Sequence, residues 1–428
     1  MTITAPPKLP DQRAADALIR EARRFQRRRW WRRGGIAVAA LILTTTVLVW
    51  IVGGVPSQSH QSRSNSKPLS GKQVIFPSLG PAISYPLTGP IGVAVAGKGV
   101  VYFTDANRVY RIDRGTHELQ LIAGIETSGF SGDRGPGLKA RLAGPSGVAV
   151  APNGDVYFVD TMNDRIRMVS TKTGIISTVA GDGHIGNGGN GGPATLASLD
   201  LKSAGSGSVG LDEYLAIGPH QDLYIADGGN NEIRKVSHAT GIITRVAGNG
   251  RLGSSGDGKK ATQAELCAPV GIAVDKSADI FIATACGVIR EVSGTTGLIS
   301  TVFSARQGPA LAGTGGDHDP VGLAIGPNGN LYATEAYGRR LLEIVPSSGR
   351  VALVAGTGVE TLPSAHPTAG DGSPATKATF GLPLGVAVDH HGNVYVADFF
   401  NNAVREIDSQ TGLITAIAGQ IPQYTHCC

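Results

Sequence analysis

The sequence predicts an all-β fold: a six-bladed β-propeller of four-stranded antiparallel blades, preceded by one N-terminal transmembrane helix. Three observations predict it. One stretch recurs six times, clearest as Gly147-Val-Ala-Val-Ala-Pro-Asn-Gly-Asp-Val-Tyr-Phe-Val-Asp160 and Gly385-Val-Ala-Val-Asp-His-His-Gly-Asn-Val-Tyr-Val-Ala-Asp398, with weaker copies from Gly92, Tyr214, Gly271 and Gly322. The 61 Gly and only 5% aromatic residues suit many short strands joined by tight turns. Nineteen consecutive residues without a charge, Ile36–Gly54, precede the repeats.

In chain order, residues 1–33 read as an Arg-rich cytoplasmic segment and 34–55 as a transmembrane signal anchor. A helix over Ile36–Gly54 spans roughly 28 Å, close to a bilayer's hydrocarbon core. Arg20, Arg23, Arg24, Arg27, Arg28, Arg29, Arg32 and Arg33 lie just before it. Positive residues stay in the cytosol, so everything after the span is expected outside the membrane. A cleaved signal peptide is the rival reading. The cationic region is long for that, and Val52-Gly-Gly-Val-Pro-Ser57 is a poor Ala-x-Ala site. Residues 56–77 read as a flexible Ser/Gln-rich linker, and 78–428 as the extracytoplasmic propeller.

Charge divides along the same boundary. Residues 1–77 hold 13 Lys/Arg and 3 Asp/Glu, and residues 78–428 hold 25 and 30, so a stub of +10 precedes a domain of −5. A phosphate-binding surface needs clustered cations, which argues against nucleic acid as a partner.

Each repeat then supplies four short apolar runs. In the second copy they are Gly147–Ala151, Val156–Asp160, Arg165–Val169 and Ile175–Ala180, rich in Val, Ile and Tyr and bounded by turn residues. Pro152-Asn153-Gly154-Asp155 is a tight-turn sequence. The innermost strands are expected to be runs such as Val93-Ala-Val95 and Val386-Ala-Val388, with a small central Ala where strands crowd near the axis. All six units supply four strands in order, so the ring is expected to close without an exchanged strand. Val74-Ile75-Phe76 or the tail after Gly419 remain candidates to supplement an end blade.

The Gly-Val-Ala-Val, Asn-Val-Tyr-Val-Ala-Asp and Asn-Asn-x-Val/Ile-Arg pattern resembles the NHL-repeat β-propeller family from about residue 89 to 419. The loop Gly370-Asp-Gly-Ser-Pro-Ala-Thr376, with partial copies at Gly132-Asp133, Gly191–Thr195 and Gly256–Gly258, is similar to bacterial membrane-anchored NHL proteins and to the teneurin NHL region. The resemblance implies a propeller whose rigid scaffold presents loops to a ligand. Loops from each fourth strand to the next blade share a face, here the top face, with the second-to-third-strand turns. They are long, as in Gly181–Glu213, Gly248–Pro269 and Gly356–Pro383, whereas the opposite turns are short. Ligands are expected on the top face and at the channel mouth.

Asp160, Asp227 and Asp398, with Asn163, Asn231 and Asn402, look like a carboxylate–amide ligand set. They recur blade after blade, so they read as turn-closing structure. The Gly-Asp-Gly stretches raise calcium but lack dense alternating carboxylates, and turn formation is the default. Gly181–Gly192 has no Gly-Lys-Ser/Thr of a phosphate loop. The non-repeated cluster is Asp317-His318-Asp319, with Asp212 and Glu213 at the equivalent position two blades earlier. Both are expected at the channel mouth, as a ligand site, a divalent Ca or Zn site, or a solvated acidic rim. No cofactor is otherwise called for. His184, His220, His390 and His391 fall in turns without partner spacing, and no Gly-x-Ser-x-Gly elbow is present. Cys267 and Cys286 belong to one blade, as a disulfide or as two separate thiols.

The expected function is a membrane-tethered, extracytoplasmic binding module for a protein, peptide or cell-envelope glycan, in adhesion, scaffolding or sensing. Enzymatic activity is not expected. The alternative is a metal-dependent hydrolase or lyase of the gluconolactonase-like propeller class, since propellers host both kinds of function.

Overall fold

Period-two apolar runs bounded by Gly, Asn and Asp turns leave the chain little choice but antiparallel meanders, and each repeat folds as one. The computed structural model describes residues 74–202, 214–305, 320–359 and 370–419. Blade 1 comprises Pro90–Val95, Val101–Asp105, Arg108–Ile112 and Glu118–Ala123. Blade 2 comprises Pro145–Val150, Val156–Asp160, Arg165–Val169 and Ile176–Ala180. Blades 3 to 6 repeat the plan from Leu215, Pro269, Pro320 and Pro383, with four sequential strands in each sheet. The Ile36–Gly54 span lies outside the described residues, among which no helix is long and apolar enough to cross a membrane.

The central Ala of each inner strand has a more specific neighbour than the axis. Ala94, Ala149, Ala216, Ala273, Ala324 and Ala387 pair across the sheet with Tyr102, Tyr157, Tyr224, Phe281, Tyr332 and Tyr395. A methyl opposite a ring lets the aromatic fill the space that a second large side chain would contest. Crowding between blades falls on glycine instead. A Cβ on Gly92 would sit 2.3 Å from the Ser146 carbonyl oxygen, on Gly271 2.0 Å from that of Val321, and on Gly322 2.2 Å from that of Leu384. Any side chain there pushes two blades apart. Gly385 packs on the Ile91 carbonyl in the same way, bringing blade 6 against blade 1.

The loops leading into blades 2, 3, 4 and 6 first strap the outer edge of the blade they enter. Pro136 bridges to Ile175, Pro193 to Ile242 and Lys260 to Leu298, and Ser373–Pro374 pairs with Ile414 and Leu413 as a short fifth strand of blade 6. One hydrogen bond recurs where a blade's last strand meets this strap: the amides of Gly124, Gly181, Gly248 and Gly356 donate to the carbonyls of Gly137, Ala194, Ala261 and Ala375, each at 3.0 Å.

Blade 1 follows no other blade, and the N-terminal residues take the strap's place. Ser78–Pro81 pairs with its outer strand, and Gly419 at the end of blade 6 donates to Ala82 at 3.1 Å. The ring therefore closes on a strap, and among the described residues no strand is exchanged between blades. Phe76 is buried among residues of blades 1 and 2, while the pairing itself falls to the residues just after it.

Candidate functional site

The top face is built on clamps. In blades 1, 2, 3 and 6 the second strand ends on a buried carboxylate that accepts a backbone N–H of the incoming loop. The pairs are Thr88 to Asp105 at 3.0 Å, Ala143 to Asp160 at 2.7 Å, and Asp200 to Asp227 and Gly381 to Asp398 at 2.8 Å. Asn230 and Asn401 brace Asp227 and Asp398 at 2.8 and 2.7 Å, and Asn163 and Asn230 reach the carbonyls of Gly129 and Gly186. The recurring Asp is thus structural. Its amide partner is one residue earlier than expected for Asn231 and Asn402. Those two sit in left-handed conformations at φ 54° and 52°, and Asn231 Oδ1 accepts the Ala268 N–H of the next blade at 3.0 Å.

Sequence reasoning missed the third partner. Arg167, Arg234, Arg290 and Arg405, in the middle of third strands, are fully buried. Arg167 reaches Asp160 at 3.1 Å and Asp133 at 2.8 Å, and Arg405 reaches Asp398 at 3.5 Å and Asp371 at 2.6 Å. Arg290 meets Asp257 at 2.6 Å, and Arg234 meets Asp227 at 3.2 Å and the Gly188 carbonyl at 3.1 Å. The carboxylates of Asp133, Asp257 and Asp371, in the Gly-Asp stretches that raised calcium, therefore face a guanidinium. The signal was available: an arginine recurs at one register of the third strand in blades 2, 3, 4 and 6. Burial pushes the Asp227 carboxyl up to about 7 against the pull of Asn230, the Asp200 amide and Arg234. Burial likewise raises Asp160 and Asp398.

Of the residues singled out at the channel mouth, Asp212, Glu213, Asp317, His318 and Asp319 lie outside the described residues. The described upper channel is filled by apolar side chains: Tyr214, Val270, Val321 and Leu384 form one buried cluster with Ile91 packed against it. The Tyr214 hydroxyl donates to the Ile91 carbonyl at 3.3 Å, from blade 3 to blade 1. Among the described residues, no three His, Cys, Asp or Glu side chains gather to hold a metal ion. Cys267 and Cys286 are joined as a disulfide, with Cα atoms 5.8 Å apart.

Around this plug, large apolar side chains stand in solvent. Met162 is 62%, Phe400 48% and Tyr337 46% exposed, in the second-to-third-strand turns of blades 2, 6 and 5. Ile185, Leu252 and Val359 are more than half exposed in incoming loops. Phe130 lies beneath Arg165, whose guanidinium is 3.9 Å from the ring centre. The arrangement holds large apolar side chains in solvent on short turns and incoming loops.

The opposite face has a shallow cleft of about 300 Å³, lined by Gly99, Arg114, Asp389, His390, His391, Asn393 and Tyr395. The Tyr395 hydroxyl lies 3.1 Å from both Asp389 and Glu406, and Glu406 is ion-paired with Arg114 across the seam between blades 6 and 1. Burial, then the charge of Glu406, raises the phenol. This network ties the seam together.

The teneurin NHL domain family matches residues 125–195, 249–314 and 337–425, together just over half of the chain. Teneurin-3 of Danio rerio is 28% identical over 241 residues, covering 53% of this chain and 8% of that protein. NHL repeat-containing protein 2 of Bos taurus is 26% identical over 347 residues, covering 72% of this chain and 46% of that protein. The chain thus spans less than half the length of these curated relatives. Among solved structures, virginiamycin B lyase from Staphylococcus aureus overlaps with a TM-score of 0.44 and 16% identity, over 78% of this chain and 86% of that one.

Proposed function

The chain belongs to the NHL-repeat propeller family, with a teneurin-type NHL domain, and from that premise we propose that it is a binding module whose top face docks a protein. One observation carries the reading: exposed apolar side chains from several blades surround a channel plugged by Tyr214, Val270, Val321 and Leu384. Apolar side chains held on rigid turns lose little entropy on docking, which is how a few anchors come to dominate an interface. The membrane tether is part of the same proposal. The Ile36–Gly54 segment would hold residues 78–428 outside a bacterial cell, where a bonded Cys267–Cys286 pair is chemically at home.

The test is cross-linking of the full chain, in its native membrane, to neighbouring envelope proteins. Met162→Ser with Phe400→Ser should reduce the cross-linked product roughly tenfold or more. His390→Ala, on the opposite face, should leave it unchanged. Equal loss from both faces, or from neither, removes the top face as the docking surface. Glycan-dependent cross-linking would move the partner from protein to envelope polysaccharide.

The metal-dependent hydrolase or lyase needs polar groups at the channel mouth, from Asp212, Glu213, Asp317, His318 and Asp319. Near-stoichiometric calcium or zinc in the purified chain, with a chelator-sensitive melt, would bring that reading forward.

A further inference from the structure

Blade 4 breaks the clamp rule. Its second strand ends on Thr284, where blades 1, 2, 3 and 6 carry Asp105, Asp160, Asp227 and Asp398. The Thr284 hydroxyl donates to the Val288 carbonyl at 3.0 Å, within its own turn, and so is not directed at the incoming loop. In the four carboxylate blades the residue held is the one that follows a buried Leu or Phe of the incoming loop, as Cys267 follows Leu266: Thr88 after Leu87, Ala143 after Leu142, Asp200 after Leu199 and Gly381 after Phe380. In blade 4 that position is Cys267, and Cys267 is bonded to Cys286, two residues past Thr284. The substitution also changes what surrounds the buried arginine. Arg290 has Asp257 and the Glu265 carbonyl as partners, whereas Arg167 and Arg405 each touch the carboxylate that ends the second strand.

We propose that the Cys267–Cys286 disulfide replaces the carboxylate clamp of blade 4, making this part of the top face the one whose closure responds to redox state. A dithiol reductant would attack one sulfur, and its second thiol would resolve the mixed disulfide. The S–S bond breaks, both cysteines leave as thiols, and the reductant leaves as its own disulfide. What is released is local. The far end of the loop stays strapped by Gly248 to Ala261 and by Lys260 to Leu298, and the Ala285 N–H still donates to the Cys267 carbonyl at 3.0 Å. The segment around Cys267 and the Ala285–Gly287 turn lose their covalent tie, on the face that carries Leu252.

Hydrogen exchange on the full chain tests this, with and without a dithiol, for three proteins: wild type, Cys267→Ala with Cys286→Ala, and that double variant with Thr284→Asp added. In the wild type, reduction should speed exchange around residues 264–270 and 284–288 by roughly tenfold or more, with blades 2 and 6 unchanged. Thr284→Asp in the cysteine-free chain should restore protection and make it indifferent to the dithiol, because a carboxylate there regains both the loop amide and Arg290. The inference falls if wild-type exchange ignores the dithiol, if thiol titration of the untreated chain finds both cysteines free, or if Thr284→Asp restores nothing in a folded chain. Should the cysteine-free chain fail to fold, Thr284→Asp alone under dithiol gives the same reading. Protection retained supports the inference, and protection lost overturns it.

Discussion

In blade 2 the clamp carboxylate Asp160 shares its buried pocket with Arg167, which also holds Asp133 of the incoming loop. In blade 1 the corresponding Asp105 clamps Thr88 by the same amide contact, but Tyr110 occupies the arginine's register and the strap Ser78–Pro81 carries no carboxylate. The backbone plan is the same and the electrostatics are opposite. Arginine is buried where at least one carboxylate meets it, from both strand and loop in blades 2 and 6, from the strand alone in blade 3 and from the loop alone in blade 4, whereas blade 1 sets an aromatic at that register. A guanidinium taken out of water is tolerated only with its charge compensated and its hydrogens bonded. The repeat therefore carries two devices: an amide clamp, and a charge staple added where the loop sequence permits it.

The sharpest way to break this distinction is to neutralise the same position in a stapled and an unstapled blade. Asp398→Asn in blade 6 keeps an acceptor for the Gly381 N–H but takes from Arg405 its fully buried counter-charge, while the partly exposed Asp371 stays beside it. Chemical denaturation should show a loss of about 3–5 kcal/mol, the usual consequence of stranding one member of a buried pair. Asp105→Asn in blade 1 should not destabilise at pH 7. Equal losses would mean that the amide clamp alone, and not the arginine, sets the stability of these turns.

The second prediction concerns pH. Burial pushes the Asp105 carboxyl up from 3.8 to about 6, opposed by the Thr88 donors. The unfolded chain releases this proton first, so between about pH 4 and 6 the folded chain binds more protons and its stability falls as pH rises. Above that window the loss is constant. Asp105→Asn removes it, so wild-type stability minus variant stability should drop by about 2–3 kcal/mol from pH 4 to pH 8. A difference that stays flat with pH would show that the carboxyl ionises in the folded chain as readily as in the unfolded one.

What the sequence made legible follows the same line. Strands, turns and six-fold repetition were readable because each is local: Pro152-Asn153-Gly154 bends the chain, and Val156–Asp160 alternates, whatever surrounds them. That Asp160 recurs in structural company was also readable, since a catalytic group has no reason to appear in every blade. The partner of Asp160 was harder to see. Arg167 reads as a surface residue of an edge-ward strand until the Asp133 loop, 34 residues earlier in sequence, is folded over it. The Asn register slipped for a similar reason. Asn163 faces its own blade's carboxylate while Asn231 reaches the next blade, and only the left-handed turn at Asn231 separates the two roles. The apolar plug around Tyr214 was hidden because its members come from inner strands far apart in sequence, one or two residues each.

The smallest expected effect tests whether the staple is a unit or an assembly of opportunities. Blade 3 carries exposed Asn190 where the loops of blades 2, 4 and 6 carry Asp133, Asp257 and Asp371. Arg234 there makes do with Asp227 and the Gly188 carbonyl. In blade 2 the loop carboxylate also accepts the Thr178 hydroxyl at 2.7 Å, and in blade 3 the register of Thr178 is taken by Arg245, paired at 3.0 Å with buried Glu232. Asn190→Asp would set a carboxylate beside two guanidinium groups, at a site open to solvent. Screening limits the gain to about 0.5–1 kcal/mol, and it should shrink as salt is raised. A gain that behaves this way makes the loop carboxylate a transferable part of the staple. No gain at low salt would mean that Glu232 has already completed the charge set of blade 3 from within the strand, and that the chain reaches a compensated arginine by more than one route.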